Sequence, residues 1–402
     1  MFVDGFMVTR SARDRLTPGP RGVRRIVDHK CSRGFTLFCG AFGSAQYLID
    51  MNGLVVQTWA VTHSQLAEIL PNGNLFVDNH GAWLEEITPA GQRVWKWDGH
   101  VHHDFHVADD CVFTLALKLP PSPNWPGFYE KDWAPEAMRN DVIYRVSRKG
   151  QVDWEFSFRD HIDEICELSG LTLPVRYRMM DSNGNLNPYK VADWAHPNTI
   201  EVLPDSPAGR ADPRFRAGNI LFSLRALDII GALDPDKNKV VWAWGLGALD
   251  GQHQPTMTRA GTILLFDNGT ARGWSAVIEF DPISGKETWR YEDRANFYSP
   301  YRSGAQRLPN GNTLVAESDA GRIFETTPDR QIVWEYLNPF FDQAPGNQGL
   351  HVFRATRYTE EQVAPVFAAR AAEPVVTVGD IDRRKLATRG EALKYYLEGT
   401  GG

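Results

Sequence analysis

Cysteine is scarce in this chain: 402 residues carry four, Cys31, Cys39, Cys111 and Cys166. None makes a CxxC pair or a metal-ligand spacing, which excludes zinc ribbons, thioredoxin-like redox centres and dense disulfide scaffolds. Cys31 and Cys39 flank an expected strand and leave room for one bridge, but reduced core thiols are the expectation. Long apolar runs are missing as well, so no transmembrane helix is expected. The N-terminus MFVDGFMVTRSARDRL has an acid at Asp4 and no sustained apolar run before its arginines. No secretory signal is read there, and the cytoplasm is the expected compartment. Basic clusters are also lacking: 43 Lys+Arg against 50 Asp+Glu give a net charge of −7, and the stretch Arg10–Arg25 is broken by Pro18, Gly19, Pro20 and Gly22. Neither nucleic acid nor an anionic membrane is therefore an expected partner.

Aromatic residues and turn formers are abundant. The 11% aromatic content, with 13 Trp, supports a packed core and argues against disorder. The 35 Gly and 25 Pro fall between short apolar runs, the pattern of many strands and tight turns.

A phrase recurs along the chain: a short strand, Pro-Asn-Gly-Asn or a variant of it, an apolar strand, a strand ending near Pro-x-Gly, and a strand ending in Trp. It is clearest from Gln65 to Trp97 and from Gly304 to Tyr336, and returns from His253 to Tyr291, with looser copies from His103 to Trp154 and from His196 to Trp244. The terminal tryptophans are Trp59, Trp95, Trp154, Trp242, Trp289 and Trp334. Each unit reads as four antiparallel strands, a propeller blade, and six ends predict an all-β, six-bladed β-propeller. The first unit, Gly34 to Trp59, has three strands, and one strand is left over at His351–Tyr358. Joining them closes the ring and removes exposed sheet edges. The expected organisation is an N-terminal arm over 1–33, the propeller over 34–358, and a helical tail over 359–402 whose two short helices pack on the ring or on a second copy in a homo-oligomer. Insertions at 119–140, 159–193 and 204–217 are candidate walls or lids.

Innermost strands line the axial channel of a propeller, so their first residues are candidates for function. Counting eight residues back from the turn glycine reaches Gln65 from Gly73, Ser303 from Gly311, and His253 from Gly261. The same step from Cys111, read as standing in for the glycine, reaches His103; the matching strands elsewhere open at His196 and His351. Four of six positions are His in a chain with 11. His102, His63 and His80 lie close by in the pattern. Converging imidazoles repel when protonated, so such a ring needs a chemical reason. It either binds a divalent transition metal through His103, His196, His253 and His351, or works without a cofactor as nucleophile and acid/base around an anion. Arg225, after the strand NILFSL, favours an anion, since a guanidinium suits sulfate, phosphate or carboxylate. The other reading of Arg225 is a surface pair with Asp228. The expected ligand is a small anionic aromatic molecule, with His102, His351, Tyr298, Tyr301 and Arg302 as further binding residues.

The segments HHDFH (102–106), DWAHPNTI (193–200), GNILFSLR (218–225), GQHQ (251–254) with LLFDNG (264–269), and LPNGNTLVAESDAGRIFE (308–325) resemble the signature stretches of the bacterial aryl-sulfate sulfotransferases. The resemblance covers the propeller from about Gly34 to Tyr358. It implies a transferase that moves a sulfuryl group from a phenolic ester to another phenol, without a nucleotide donor, through a sulfated histidine. Carried over by position, His253 is the residue sulfated, His103 (or His102) and His196 bind sulfate or shuttle the phenol proton, and Arg225 neutralises charge on the sulfuryl oxygens. Gln254 stands where the family usually has Asp beside the nucleophile. A lyase or hydrolase of an aromatic or carboxylated substrate, with a His or Tyr base (Tyr298, Tyr301) and Arg225 as anchor, is the alternative reading of the same residues.

Overall fold

The computed structural model describes residues 2–3, 6–7, 21–118, 139–172, 193–341 and 349–371. The insertion segments 119–138 and 173–192, the expected second tail helix and nearly all of the arm before Arg21 lie outside them. Six antiparallel sheets of four blade strands follow one another, so the fold is the six-bladed β-propeller expected. Few helices interrupt the strands, and no described helix is long and apolar enough to cross a membrane.

The turn chemistry is the one the repeat predicted. Gly73, Gly261 and Gly311 adopt φ of 85°, 82° and 87°, and each donates its N–H three residues back, to Leu70, Thr258 and Leu308. Positive φ is close to free for glycine and costly for other residues. Cys111 does not stand in for this glycine: it begins the strand Cys111–Leu117, and Asp109–Asp110 make a tighter turn closed by Ala108 N–H to Cys111 O, 2.9 Å.

The chain divides into two compact units. One comprises 98–272 and 278–288 and holds two complete sheets. Their strands are Val101–Val107, Cys111–Leu117, Asp141–Ser147 and Val152–Ser157, then Pro197–Val202, Ile220–Leu224, Ile229–Asp234 and Lys239–Trp244. Phe156, Phe158, Trp194, Phe222 and Leu224 are buried in one cluster between these sheets, each contributing about 1.5–3 kcal/mol by leaving water. Two described parts of these insertions cover a sheet edge. Helix Ile162–Ser169 buries Ile165 in that cluster, and Glu164 accepts the Val240 N–H at 2.8 Å. Segment 204–217 packs Phe215 edge-on to Trp242, centroids 5.0 Å apart. Both cover the fourth strand, Lys239–Trp244, whose edge would otherwise be open.

The other unit comprises 1–97, 273–277 and 289–402. Here strand Ala355–Tyr358 pairs with Phe35–Cys39, completing the sheet with Gly43–Ile49 and Val55–Ser64. His351 precedes that strand by four residues rather than opening it. Gly34 is fixed by this closure, since a Cβ there would lie 2.1 Å from Tyr358 O. The arm contributes a fifth strand, Gly22–Ile26, paired along Ile332–Leu337, and the first tail helix, Glu360–Ala371, buries Val363 and Val366 beside Leu37 and Leu75.

The blade-end tryptophans have a structural purpose in this unit. Trp59, Trp289 and Trp334 donate their indole N–H to the carbonyls of Thr88 (3.2 Å), Pro328 (2.8 Å) and Met51 (2.8 Å), each in the last hairpin turn of another sheet. Trp59, Trp242 and Trp334 are buried, whereas Trp95, Trp154 and Trp289 are only half-buried. All four cysteines are free thiols; Cys39 donates to Gln65 O at 3.1 Å, so the bridge to Cys31 is not made.

Candidate active site

The first strands of the two complete sheets in the 98–272 unit, and the strand His253–Met257, each begin irregularly. Register shifts fall between Val101 and Phe105, Pro197 and Thr199, and His253 and Thr256. At or beside each shift one non-glycine residue is left-handed: His103 (φ 61°) and Gln254 (49°) within it, and His196 (48°) one residue before it. Such backbone costs of order 1–3 kcal/mol per residue and collects at functional sites; a bulge re-aims the side chain it carries.

The strand starts are tied together by side chains. Ile200 N–H donates to Asp104 Oδ2 at 3.1 Å, Asn198 Nδ2 to Gln252 O at 2.9 Å, and Gln254 N–H to Thr199 Oγ1 at 3.0 Å. Further along, Glu201 accepts the Met257 N–H at 2.7 Å. Burial, reinforced by Asp104, pushes the Glu201 carboxyl up to about 8.

On this frame the predicted histidines fall into two groups. In the first, His103 Nε2 lies 2.8 Å from His196 Nε2, with the rings edge to face. His196 Nδ1 binds Asp193 Oδ2. Arg139 bridges two carboxylates, 3.0 Å to Asp193 Oδ1 and 3.1 Å to Asp141 Oδ1. His102 is buried behind His103, with Nε2 3.1 Å from Asp141 Oδ1. Burial alone would raise the Asp193 carboxyl, but His196, Arg139 and His102 together hold it far below the usual carboxylate range.

The second group centres on His253, which is buried. Its Nδ1 sits 2.7 Å from Asn268 Oδ1 and 3.2 Å from Gly251 O. Both partners are acceptors, so Nδ1 carries the proton and Nε2 keeps its lone pair. Asp228 Oδ1 and the Gln252 side chain hold the loop before it: Asp228 accepts Gly251 N–H at 2.7 Å, and Gln252 donates to Ser223 Oγ at 3.0 Å and Ile229 O at 2.9 Å.

Arg225 is bonded to the first group and lies near the loop of the second. Its backbone N–H donates to His196 O at 3.1 Å, and its Nη2 lies 4.0 Å from where a Cβ on Gly251 would be. Asp228, the partner in the surface-pair reading of Arg225, is buried rather than at the surface.

The remaining predicted residues, His351, Tyr298, Tyr301 and Arg302, belong to the other unit. There Arg302 (φ 57°) stands 3.9 Å from Asp319 Oδ1, Tyr298 N–H donates to Glu317 Oε1 at 3.0 Å, and the His351 carbonyl accepts from Asn338 at 3.3 Å. His63 and His80 are in this unit too, where His63 stacks on Phe42 at 4.7 Å. Among the described residues, no three His, Cys, Asp or Glu side chains are disposed to hold a metal ion.

Sequence reasoning missed Asn268 as the group that orients His253, and missed the roles of Asp193, Arg139 and Asp141. Asn268 and Asp193 lie within the motifs singled out. Arg139 and Asp141 carry no motif signal, because they enter from the end of an insertion.

Comparison with known proteins points the same way. Among solved structures, a protein of unknown function from Bacteroides caccae is similar at TM-score 0.51 and 11% identity, over 81% of this chain and 98% of that one. A streptogramin B lyase is similar at TM-score 0.42 and 13% identity, over 79% and 83%. Virginiamycin B lyase from Staphylococcus aureus is similar at TM-score 0.36 and 15% identity, over 69% and 70%. At these identities the first likeness bears on the fold alone, and the two lyases carry no argument. No curated protein matches the chain. The arylsulfotransferase (ASST) family model matches residues 77–339, well over half of the chain and every residue of the two histidine groups, and the chain belongs to that family.

Proposed function

We propose that the protein is an aryl sulfotransferase that carries the sulfuryl group on His253 Nε2, between a phenolic sulfate donor and a phenol acceptor, with no nucleotide. The observation that carries this reading is the Nδ1 contact of His253 with Asn268 and Gly251, two acceptors that in the neutral ring leave the lone pair on Nε2, as a nucleophile needs. In the first half-reaction Nε2 bonds to sulfur while the ester S–O bond breaks, and the phenolate leaves with the electron pair. In the second, the acceptor oxygen bonds to sulfur, the N–S bond breaks, and its pair returns to Nε2. Arg225, reaching the His253 loop, balances charge on the sulfuryl oxygens, and the His103–His196 pair serves the phenol oxygen. Because sulfuryl transfer creates little new charge, alignment of the nucleophile with sulfur does much of the work.

The test is intact mass after exposure to nitrophenyl sulfate. One added sulfuryl group, mapped to His253 and absent in His253→Ala, is expected, together with nitrophenol release that depends on an added phenol. Unmodified wild-type protein across a broad donor panel overturns the reading.

A further inference from the structure

The Asp193–His196–His103 chain has a charge arrangement that assigns roles within it. Asp193 and Asp141 bring two negative charges and Arg139, which binds both, brings one positive charge. With neutral imidazoles the cluster is one unit negative, so it accommodates one further proton on a ring. The contact with ionised Asp193 places a proton on His196 Nδ1. In neutral His196 the Nε2 is then a lone-pair acceptor, and His103 Nε2–H, 2.8 Å away, must be the donor to it. Protonation of His196 at Nε2 yields an imidazolium already paired with a carboxylate. The energy of that state is lowered before any substrate arrives.

We propose that Asp193, held by Arg139, is a positioning residue that makes His196, rather than His103 or His102, the base for the acceptor phenol. The inference rests on the sulfotransferase reading above. An acceptor hydroxyl reaching His196 Nε2 takes the place of the His103 N–H. As its oxygen bonds to sulfur, its proton passes to His196 Nε2, and the His253 N–S bond breaks with the pair returning to nitrogen. The proton leaves to solvent when product departs. His102 takes no part, because its Nε2 is turned to Asp141 inside the protein. The Asn198–Gln252 and Gln254–Thr199 bonds keep the base and the nucleophile in fixed register, since they join the chain two and three residues after His196 to the residues on either side of His253.

Asp193→Asn tests this by reversing the polarity at Nδ1. Transfer from sulfated enzyme to a weakly acidic phenol is expected to slow by about a hundredfold, the scale of general-base catalysis. An acidic nitrophenol, which needs little help in losing its proton, is expected to be affected far less, and sulfation by nitrophenyl sulfate scarcely at all. Nitrogen-15 NMR of the histidines supplies a readout independent of turnover: a strongly deshielded imidazole N–H in the wild type, lost in both Asp193→Asn and His196→Ala. Should Asp193→Asn not fold, Arg139→Lys, which keeps the charge but loses the two-pronged bridge, is expected to show the same dependence on phenol acidity at smaller size. Equal slowing of all acceptors, no slowing, or a wild type without the deshielded N–H overturns the proposal. A wild type that shows that N–H but is never sulfated overturns the sulfotransferase reading and the acceptor role together, while supporting the fixing of His196 by Asp193.

Discussion

Asn268 Oδ1 stands 2.7 Å from His253 Nδ1, and in the proposed mechanism this contact orients the nucleophile. Gln254, where the family usually has Asp, has a left-handed backbone and donates its N–H to Thr199 Oγ1. A neutral carbonyl oxygen fixes the tautomer without adding negative charge, which suits the anionic donor of the proposed reaction.

Asn268→Ala is therefore expected to lower the rate of enzyme sulfation by about ten- to a hundredfold, since His253 loses one of two groups that orient it. Asn268→Asp is expected to retain the tautomer but weaken donor binding, because the new charge repels the sulfate. Pre-steady-state nitrophenol release as a function of donor concentration separates the two effects. An alanine variant with an unchanged burst rate removes Asn268 from the mechanism.

A second prediction concerns closure of the first sheet. Arg357, on the strand that completes it, donates to Thr36 Oγ1 at 2.7 Å and Ser32 O at 2.6 Å, and lies 3.4 Å from Glu325 Oε2. All three side chains are buried, and burial lowers the Arg357 pKa despite the nearby carboxylate. Removing one member leaves the other as a buried, uncompensated charge. Arg357→Ala is expected to cost about 3–5 kcal/mol, read by chemical denaturation, and Arg357→Ala with Glu325→Gln less than that. A double variant no more stable than Arg357→Ala contradicts the coupling.

The fold was legible because its turns repeat: one glycine position with positive φ marks three sheets, and the phrase ends in a tryptophan whose indole holds another sheet's turn. Of the histidines, His253 was legible by counting from one of those turns, whereas His103 was counted from Cys111, which begins a strand instead of closing such a turn. What the count could not give is the left-handed backbone at His103 and His196, because the residue there is not glycine and nothing local announces the bulge. The supporting charges were also hidden. Asp193 and Arg139 sit at the borders of insertions that have no counterpart in other repeats, so periodicity passes over them. His253 opens the strand His253–Met257, where the count placed it, but its partner Asn268 follows the end of the strand Ile263–Asp267, where only register identifies it.

The last prediction follows from Glu201, which sits in the tie between the strands Pro197–Val202 and His253–Met257 and accepts the Met257 N–H. Its carboxyl is pushed up to about 8, from an ordinary 4.5, by burial first and by Asp104 second. The folded protein thus binds a proton there that the unfolded chain releases near pH 4.5. Between about pH 4.5 and 8 the native state holds more protons than the unfolded one, so this group makes stability fall as pH rises. The neutral acid keeps its carbonyl oxygen for Met257, whereas the carboxylate carries a full charge in a half-buried, desolvated place beside Asp104. Glu201→Gln preserves the acceptor and removes the titration. Thermal melts from pH 5 to 9 are expected to show a downward slope in the wild type that is shallower in Glu201→Gln, with the variant the more stable of the two by a few degrees at pH 9. Parallel curves for the two proteins would show that Glu201 does not titrate in this range, and that the tie between the strands works with a charged carboxylate.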